Sequence, residues 1–189
     1  MLRQQFKQKR SSLSDENRRH SAQLVMQAFV ASACFQEATH IASYLAYDSE
    51  LDTRGIIQAI WEAGKHCYLP VVNKESKDMA FLRYEENTVL LSNDYGILEP
   101  SQSTLIQKTA LDIVLVPLLA FDQAGYRLGM GAGFYDRAFA DLADATHHTK
   151  PLLIGLAYSQ QETDDVFHDS WDIPIHAVVT ELGVRWFSE

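Results

Sequence analysis

Apolar positions change their spacing several times along the chain. Residues 2–10 follow a helical period, and after Ser11, Ser12 and Leu13 the acidic turn Ser14-Asp15-Glu16 predicts the cap of a second helix. Leu24, Val25, Ala28 and Phe29 fall on one apolar face of that helix. Residues 40–46 then form a continuous apolar run that reads as a buried strand. Thr53 is placed to N-cap a helix through Ile56, Ile57, Ile60 and Trp61, which Gly64 closes before a strand over 67–72. This strand-helix-strand unit is expected to be parallel and right-handed. A further strand over 79–84 leads into a turn-rich stretch from Ser92 to Pro100. The β-branched run 112–117 passes through residues 118–122 into a glycine-rich segment, and a helical pattern resumes near Phe134. Strands over 152–158 and 177–180 complete the set. Short apolar runs alternating with helix-period segments predict an α/β fold, with one domain spanning residues 1–189. The expected architecture is three-layer α/β/α around a mostly parallel open sheet.

Composition narrows the classes. The chain has 189 residues, of which 47% are hydrophobic and 22% charged, as in ordinary globular proteins. It contains no repeat and no low-complexity tract. The start, Met1-Leu2-Arg3-Gln4-Gln5, leads into charged sequence, and no run reaches the ~18 apolar residues of a membrane span. A cytoplasmic, monomeric protein with no membrane partner is the expectation. Cys34 and Cys67 lack CxxC spacing and suit free thiols in a reducing compartment. A net charge of -9 argues against a nucleic-acid partner, because backbone binding needs lysine and arginine on the phosphates. Against that acidic balance, Arg3, Lys7 and Arg10 recur at spacings of four and three and share one helix face. That face is either solvated or a local anion site.

In open α/β sheets ligands bind beyond the carboxyl ends of the strands, which directs attention to residues 121–136. There Gly129, Gly131 and Gly133 stand at alternate positions just ahead of a helix. Missing β-carbons allow close backbone approach, and free N–H groups at a helix start attract anions. The spacing fits neither GxxxxGK[ST] nor the dinucleotide fingerprint, so a phosphate loop and a structural turn both remain open. Arg127 adds a guanidinium suited to phosphate, and Asp136 adds a hard oxygen of the kind magnesium prefers. Ala132 between two of the glycines predicts an ordinary negative φ there, with the special geometry carried by Gly131 and Gly133.

The stretch Val116-Pro117-Leu118-Leu119-Ala120-Phe121-Asp122, followed by residues 125–137, resembles the signature of the 5-formyltetrahydrofolate cyclo-ligase family. Tyr44-Leu45 with residues 50–53, Gly64-Lys65 through Leu69-Pro70, and residues 171–174 with 178–180 extend the likeness over nearly the whole chain. It is weak in 73–110 and 138–170.

The resemblance implies MgATP-dependent closure of 5-formyltetrahydrofolate to 5,10-methenyltetrahydrofolate, with Mg²⁺ as cofactor and ATP as co-substrate. It assigns ATP to Arg3 and to Arg127, Leu128, Gly129, Met130, Gly131, Ala132, Gly133, Phe134 and Tyr135. Folate is assigned to Leu45 and Glu50, with Met130, Gly131, Ala132, Gly133 and Phe134 bordering it. Arg127 and Tyr135 are its catalytic candidates, and Asp136 and Asp172 its magnesium ligands. It further implies that the formyl oxygen attacks the γ-phosphate of ATP and that the folate N10 then displaces phosphate.

Two departures stand out. Relatives commonly carry a lysine four residues before the arginine that matches Arg3, a position ahead of Met1; either the chain dispenses with this phosphate contact, or Lys7 or another cation substitutes. Relatives also place glycine or lysine where this chain has Ala132. A sugar-phosphate isomerase-like enzyme would use a similar sheet and loop, and a non-catalytic folate- or nucleotide-binding relative is a further alternative. His147-His148 reads as surface loop and His176 stays outside the metal set. Tyr44, Tyr47, Phe121, Tyr126 and Trp171 are either core or stacking residues.

Overall fold

Three helices precede the first strand in the computed structural model, which describes residues 2–140 and 150–187: α1 (Leu2–Ser11), α2 (Asp15–Val30) and α3 (Ala33–Glu37). The Ser14 hydroxyl accepts the Asn17 N–H at 3.2 Å, and Asp15 and Glu16 sit in the first turn, where the helix dipole favours negative charge. Strand β1 (His40–Ala42), helix α4 (Arg54–Glu62) and strand β2 (His66–Val72) follow, and β1 pairs with β2 in parallel as expected. Then come β3 (Met79–Arg83), β4 (Leu90–Ser92), β5 (Leu98–Pro100), β6 (Leu105–Ile106) and β7 (Ile113–Pro117). The chain ends with β8 (Ala120–Phe121), β9 (Arg127–Leu128), α5 (Phe134–Ala138), β10 (Leu152–Leu156), β11 (Ala177–Thr180) and β12 (Gly183–Trp186). His147-His148 lies outside the described residues.

Eight strands form one sheet in the order β12-β11-β10-β7-β1-β2-β3-β6. The run from β11 to β2 is parallel, and β12, β3 and β6 add antiparallel edges. Strand β7 sits between β10 and β1, buried on both faces, which explains its unbroken apolar sequence. Its Ile113 and Leu115 join Ile41 and Ile154 in a core with Val25, Phe29 and Phe35 of α2 and α3 and with Ile56, Ile57 and Ile60 of α4. Val114 and Val116 point the other way, toward Phe139, Ile173 and Ile175. The described cover on that second face is therefore α5 with irregular segments. No helix among the described residues is long and apolar enough to cross a membrane.

The expected strand over 40–46 stops at Ala42. The Ser43 N–H still bonds the Tyr68 carbonyl at 2.8 Å, but the Thr53 hydroxyl then donates to the Tyr44 carbonyl and turns the chain out of the sheet. Thr53 does occupy the N-cap position of α4, yet its side chain is committed to Tyr44 and caps nothing. Asp52 instead accepts the Arg54 N–H at 3.0 Å. This exit positions Leu45 beyond the carboxyl end of β1 rather than within a strand.

Candidate active site

Three neighbouring parallel strands, β7, β1 and β2, end side by side, and a cavity of about 610 Å³ opens at their carboxyl ends. Its floor comes from the ends of those strands and the residues just beyond them: Pro117 at the end of β7 with Leu118 after it, Tyr44 and Leu45 after β1, and Pro70 with Val72 at the end of β2. The volume falls in the range of small-molecule sites. All of the residues singled out from the sequence border it: Arg3, Leu45, Glu50, the run from Arg127 to Asp136, and Asp172.

The glycine-rich segment forms one wall. Gly131 and Gly133 have φ of 102° and 64°, and Gly133 is the N-cap of α5. Ala132 is not among the residues at positive φ, in keeping with the chirality argument. Arg137 reaches back to the Ala132 carbonyl and the Arg3 Nε donates to the Gly129 carbonyl at 3.0 Å, so two cations brace the loop from outside.

On the basic face of α1, Arg3 and Lys7 are exposed and Arg10 is buried. Arg3, Lys7 and Arg10 all border the cavity. Arg10 is only 2% exposed; its Nε donates to the Ser49 hydroxyl at 3.1 Å and its Nη1 lies 4.0 Å from Glu50. Lys7 stands 3.8 Å from Asp48 in a half-exposed pair. Arginine at position 10 had the same spacing signal as Arg3, but spacing alone could not reveal that it is buried.

Glu50 is held by the Tyr47 N–H, which donates to its Oε2 at 3.0 Å. Burial raises its carboxyl pKa above the ordinary range, opposed by the Tyr47 N–H and by Arg10. Burial, reinforced by Glu50, also raises the phenols of Tyr44 and Tyr135. Both phenols are therefore neutral donors at physiological pH. The Cys67 thiol is pushed up to about 12 by burial, which makes it inert as a nucleophile.

Arg127 and Asp136, read from the sequence as separate phosphate and metal residues, are joined. The Arg127 Nη2 donates to Asp136 Oδ1 at 2.6 Å and its Nη1 donates to the Ile173 carbonyl. The Ile173 N–H in turn lies 3.4 Å from the same Asp136 oxygen. The peptide that links Asp172 to Ile173 is thus seated against the Asp136 carboxylate, although 35 residues separate the two aspartates in sequence. Asp172 uses Oδ2 to accept the Asp169 N–H at 2.9 Å. One oxygen of each aspartate is thus engaged among the described residues. Among the described residues no group of three or more acidic, histidine or cysteine side chains gathers as a metal cage. Two carboxylates bordering the same cavity fit an ion such as magnesium, which retains waters and shares nucleotide phosphates.

The sequence reading missed the β4–β5 hairpin, whose Asn93, Tyr95, Ile97 and Glu99 also border the cavity. Tyr95 meets Phe134 edge-on, with ring centroids 6.1 Å apart. Its turn was legible in Asn93-Asp94-Tyr95-Gly96, but strands of three residues carry too little periodicity to register.

A family model described as the 5-formyltetrahydrofolate cyclo-ligase family matches residues 1–181. The 5-formyltetrahydrofolate cyclo-ligase of Escherichia coli strain K12 is 35% identical over 182 residues, covering 95% of this chain and 98% of that protein. The enzyme of the same name from Haemophilus influenzae is 33% identical over 181 residues, covering 94% and 95%. The NMR structure of Aquifex aeolicus 5,10-methenyltetrahydrofolate synthetase superposes with a TM-score of 0.84 at 31% identity, covering 100% of this chain and 92% of that one.

Proposed function

This chain belongs to the 5-formyltetrahydrofolate cyclo-ligase family, and from that premise we propose that its cavity converts 5-formyltetrahydrofolate to 5,10-methenyltetrahydrofolate while cleaving ATP to ADP and phosphate. The observation that carries the reading is a single cavity with two chemically distinct walls. One wall is the positive-φ glycine segment with Arg3, Lys7 and Arg127; the other is Leu45, Glu50 and Tyr44 beyond β1. The first suits phosphates and the second a planar, hydrogen-bonding heterocycle.

The reaction asks the protein for positioning and charge stabilisation rather than for a nucleophile. The folate's formyl oxygen attacks the γ-phosphorus, ADP departs, and the folate N10 attacks the activated carbon as phosphate leaves. Arg127 has further N–H donors beyond those held by Asp136 and Ile173, and they are directed to the phosphoryl oxygens as charge accumulates there. Backbone N–H groups of residues 131–133 cradle the phosphates, and Arg3 and Lys7 add charge from α1. Glu50 accepts hydrogen bonds from the folate ring, and Tyr135 donates as a neutral phenol. Asp136 and Asp172 would hold Mg²⁺, which supplies charge neutralisation on the phosphates.

The test is direct. Protein mixed with 5-formyltetrahydrofolate and MgATP should develop methenyl-folate absorbance with one ADP per ring closed, and chelating magnesium should abolish both signals. Folate binding with no methenyl product in the presence of MgATP would end the catalytic reading and leave a binding protein.

A further inference from the structure

Of the eleven large apolar side chains exposed among the described residues, six border the cavity: Tyr47, Tyr95, Leu98, Met130, Phe167 and Trp171. Clustered exposed apolar surface marks a surface that something covers.

Phe167 is the most exposed of the six. It is 78% exposed and has φ of 56°, a left-handed conformation that is a genuine outlier for a bulky residue. Such strain persists where the surroundings impose it, and it concentrates at ligand clamps. Here the surroundings do impose it. Val166 is buried with Phe6, Leu119 and Leu128, and its N–H points to Asp122 Oδ2 at 3.4 Å. The Phe167 N–H donates to Asp165 Oδ1 at 2.6 Å. His168 stacks on Tyr126, with centroids 3.5 Å apart and planes 6° from parallel. Asp169 and Asp172 exchange hydrogen bonds at 2.9 and 3.0 Å. Residues 166–172 therefore form a pinned ledge whose two uncovered rings are Phe167 and Trp171.

We propose that this ledge is the platform for the purine base of the nucleotide, with Phe167 and Trp171 stacking on its face. The proposal rests on the reading of ATP as co-substrate. A base is favoured over the folate rings by position. The ledge is tied to the β8–β9 hairpin through Asp122 and Tyr126, and that hairpin leads directly into the glycine segment. Trp171 also immediately precedes Asp172, whereas Leu45 and Glu50 arrive from the separate loop after β1. The ring beside the phosphate wall belongs to the molecule whose phosphates occupy it. Stacking reads shape more than base edges, so ATP and GTP should be accepted with similar affinity and pyrimidine nucleotides more weakly.

The experiment is calorimetric titration of the full chain and of Phe167→Ala, Trp171→Ala, Phe167→Tyr and Phe167→Gly, with MgADP and separately with 5-formyltetrahydrofolate, alongside thermal melts. Both alanine variants should weaken MgADP by roughly tenfold and leave folate affinity within about twofold, and Phe167→Tyr should restore nucleotide binding. Phe167→Gly carries the sharpest signature: it relieves the backbone strain, so its Tm should rise while MgADP binding falls as far as in the alanine variant. A folding defect predicts the opposite pairing. MgADP affinity within about twofold of wild type in both alanine variants, or a loss confined to folate, overturns the platform. If the wild-type chain binds no MgADP at all, the ATP reading itself fails and the platform with it.

Discussion

Arg127 has a side chain only 5% exposed and secures both Asp136 and the Ile173 carbonyl, so its loss should damage chemistry and architecture together. Arg127→Ala should lower turnover at saturating ATP by about 100-fold or more, as expected for a preorganised charge on a developing anion. Arg127→Lys should recover only part, because a point charge cannot hold two partners with one planar fork. Steady-state kinetics on both variants checks this, and near wild-type turnover in Arg127→Ala would remove the residue from the mechanism. At Gly131, a β-carbon at φ 102° should cost about 1 kcal/mol or more and raise KM for ATP, whereas Ala132→Gly should change activity by only a few-fold. Glu50 gives a pH prediction. Burial holds its pKa above the usual value, so as pH falls through that raised value the carboxylate acceptor is lost and KM for folate should climb; Glu50→Gln should flatten that dependence. The stability sign is opposite to that of a salt-bridged acid. The native state binds this proton more tightly than the unfolded chain, so between about 4.3 and the raised value Glu50's contribution falls as pH rises. The conformation of Ala132 was legible in sequence because chirality is a local property. The charge state of Glu50 was not, because its burial is made by elements far away in the chain.

Helix α1 shows how an element can be read correctly while its surroundings stay open. Its 3.6-residue period placed Arg3, Lys7 and Arg10 on one face, but periodicity does not say what that face meets. Phe6 decides it. At 3% exposed, it packs with Leu119, Leu128 and Val166 and thereby rotates the three cations inward. Phe6→Ala should therefore destabilise by about 3–5 kcal/mol if α1 unfolds only with the whole. If α1 detaches alone, the loss should appear as a raised KM for ATP with little change in Tm. Hydrogen exchange over residues 2–11 separates the two outcomes, and unchanged protection together with unchanged KM would show that α1 is not part of the phosphate wall. Among the strands, β7, β10 and β11 were recognisable because two-sided burial makes their sequences continuously apolar. The two-residue strands β8 and β9 and the edge strand β12 escaped notice, since their pairing is dictated by neighbours rather than by composition.

On the scale of the whole molecule, a net charge of -9 surrounds a cavity bordered by Arg3, Lys7, Arg10, Arg127 and Arg137. The cavity's cations must attract an anionic nucleotide against the repulsion of the remaining surface. Mobile ions screen the distant repulsion and the nearby attraction alike, but contacts at 3–4 Å lie well inside a Debye length of ~8 Å and are weakened less. The half-exposed Lys7 should be the most sensitive, so Lys7→Ala should make KM for ATP less dependent on salt. A series of KM values at rising ionic strength tests this, and parallel curves for the two proteins would remove Lys7 from the phosphate set. The general location of the site followed from the α/β pattern, because parallel strands place their carboxyl ends on one edge. Its assembly follows another timetable. The wall residues span Arg3 to Asp172, and β7, at the centre of the sheet, gains its second neighbour only with β10. A ribosome therefore releases most of the chain before any cavity exists: Lys7 and Arg10 meet Asp48 and Glu50 early, but Arg3 and Arg10 wait for the carbonyls of Gly129 and Leu118, translated more than a hundred residues later. Catalytic competence arrives all at once near the end of translation, and a message cut short before Asp172 yields a protein with most of its strands and none of its chemistry.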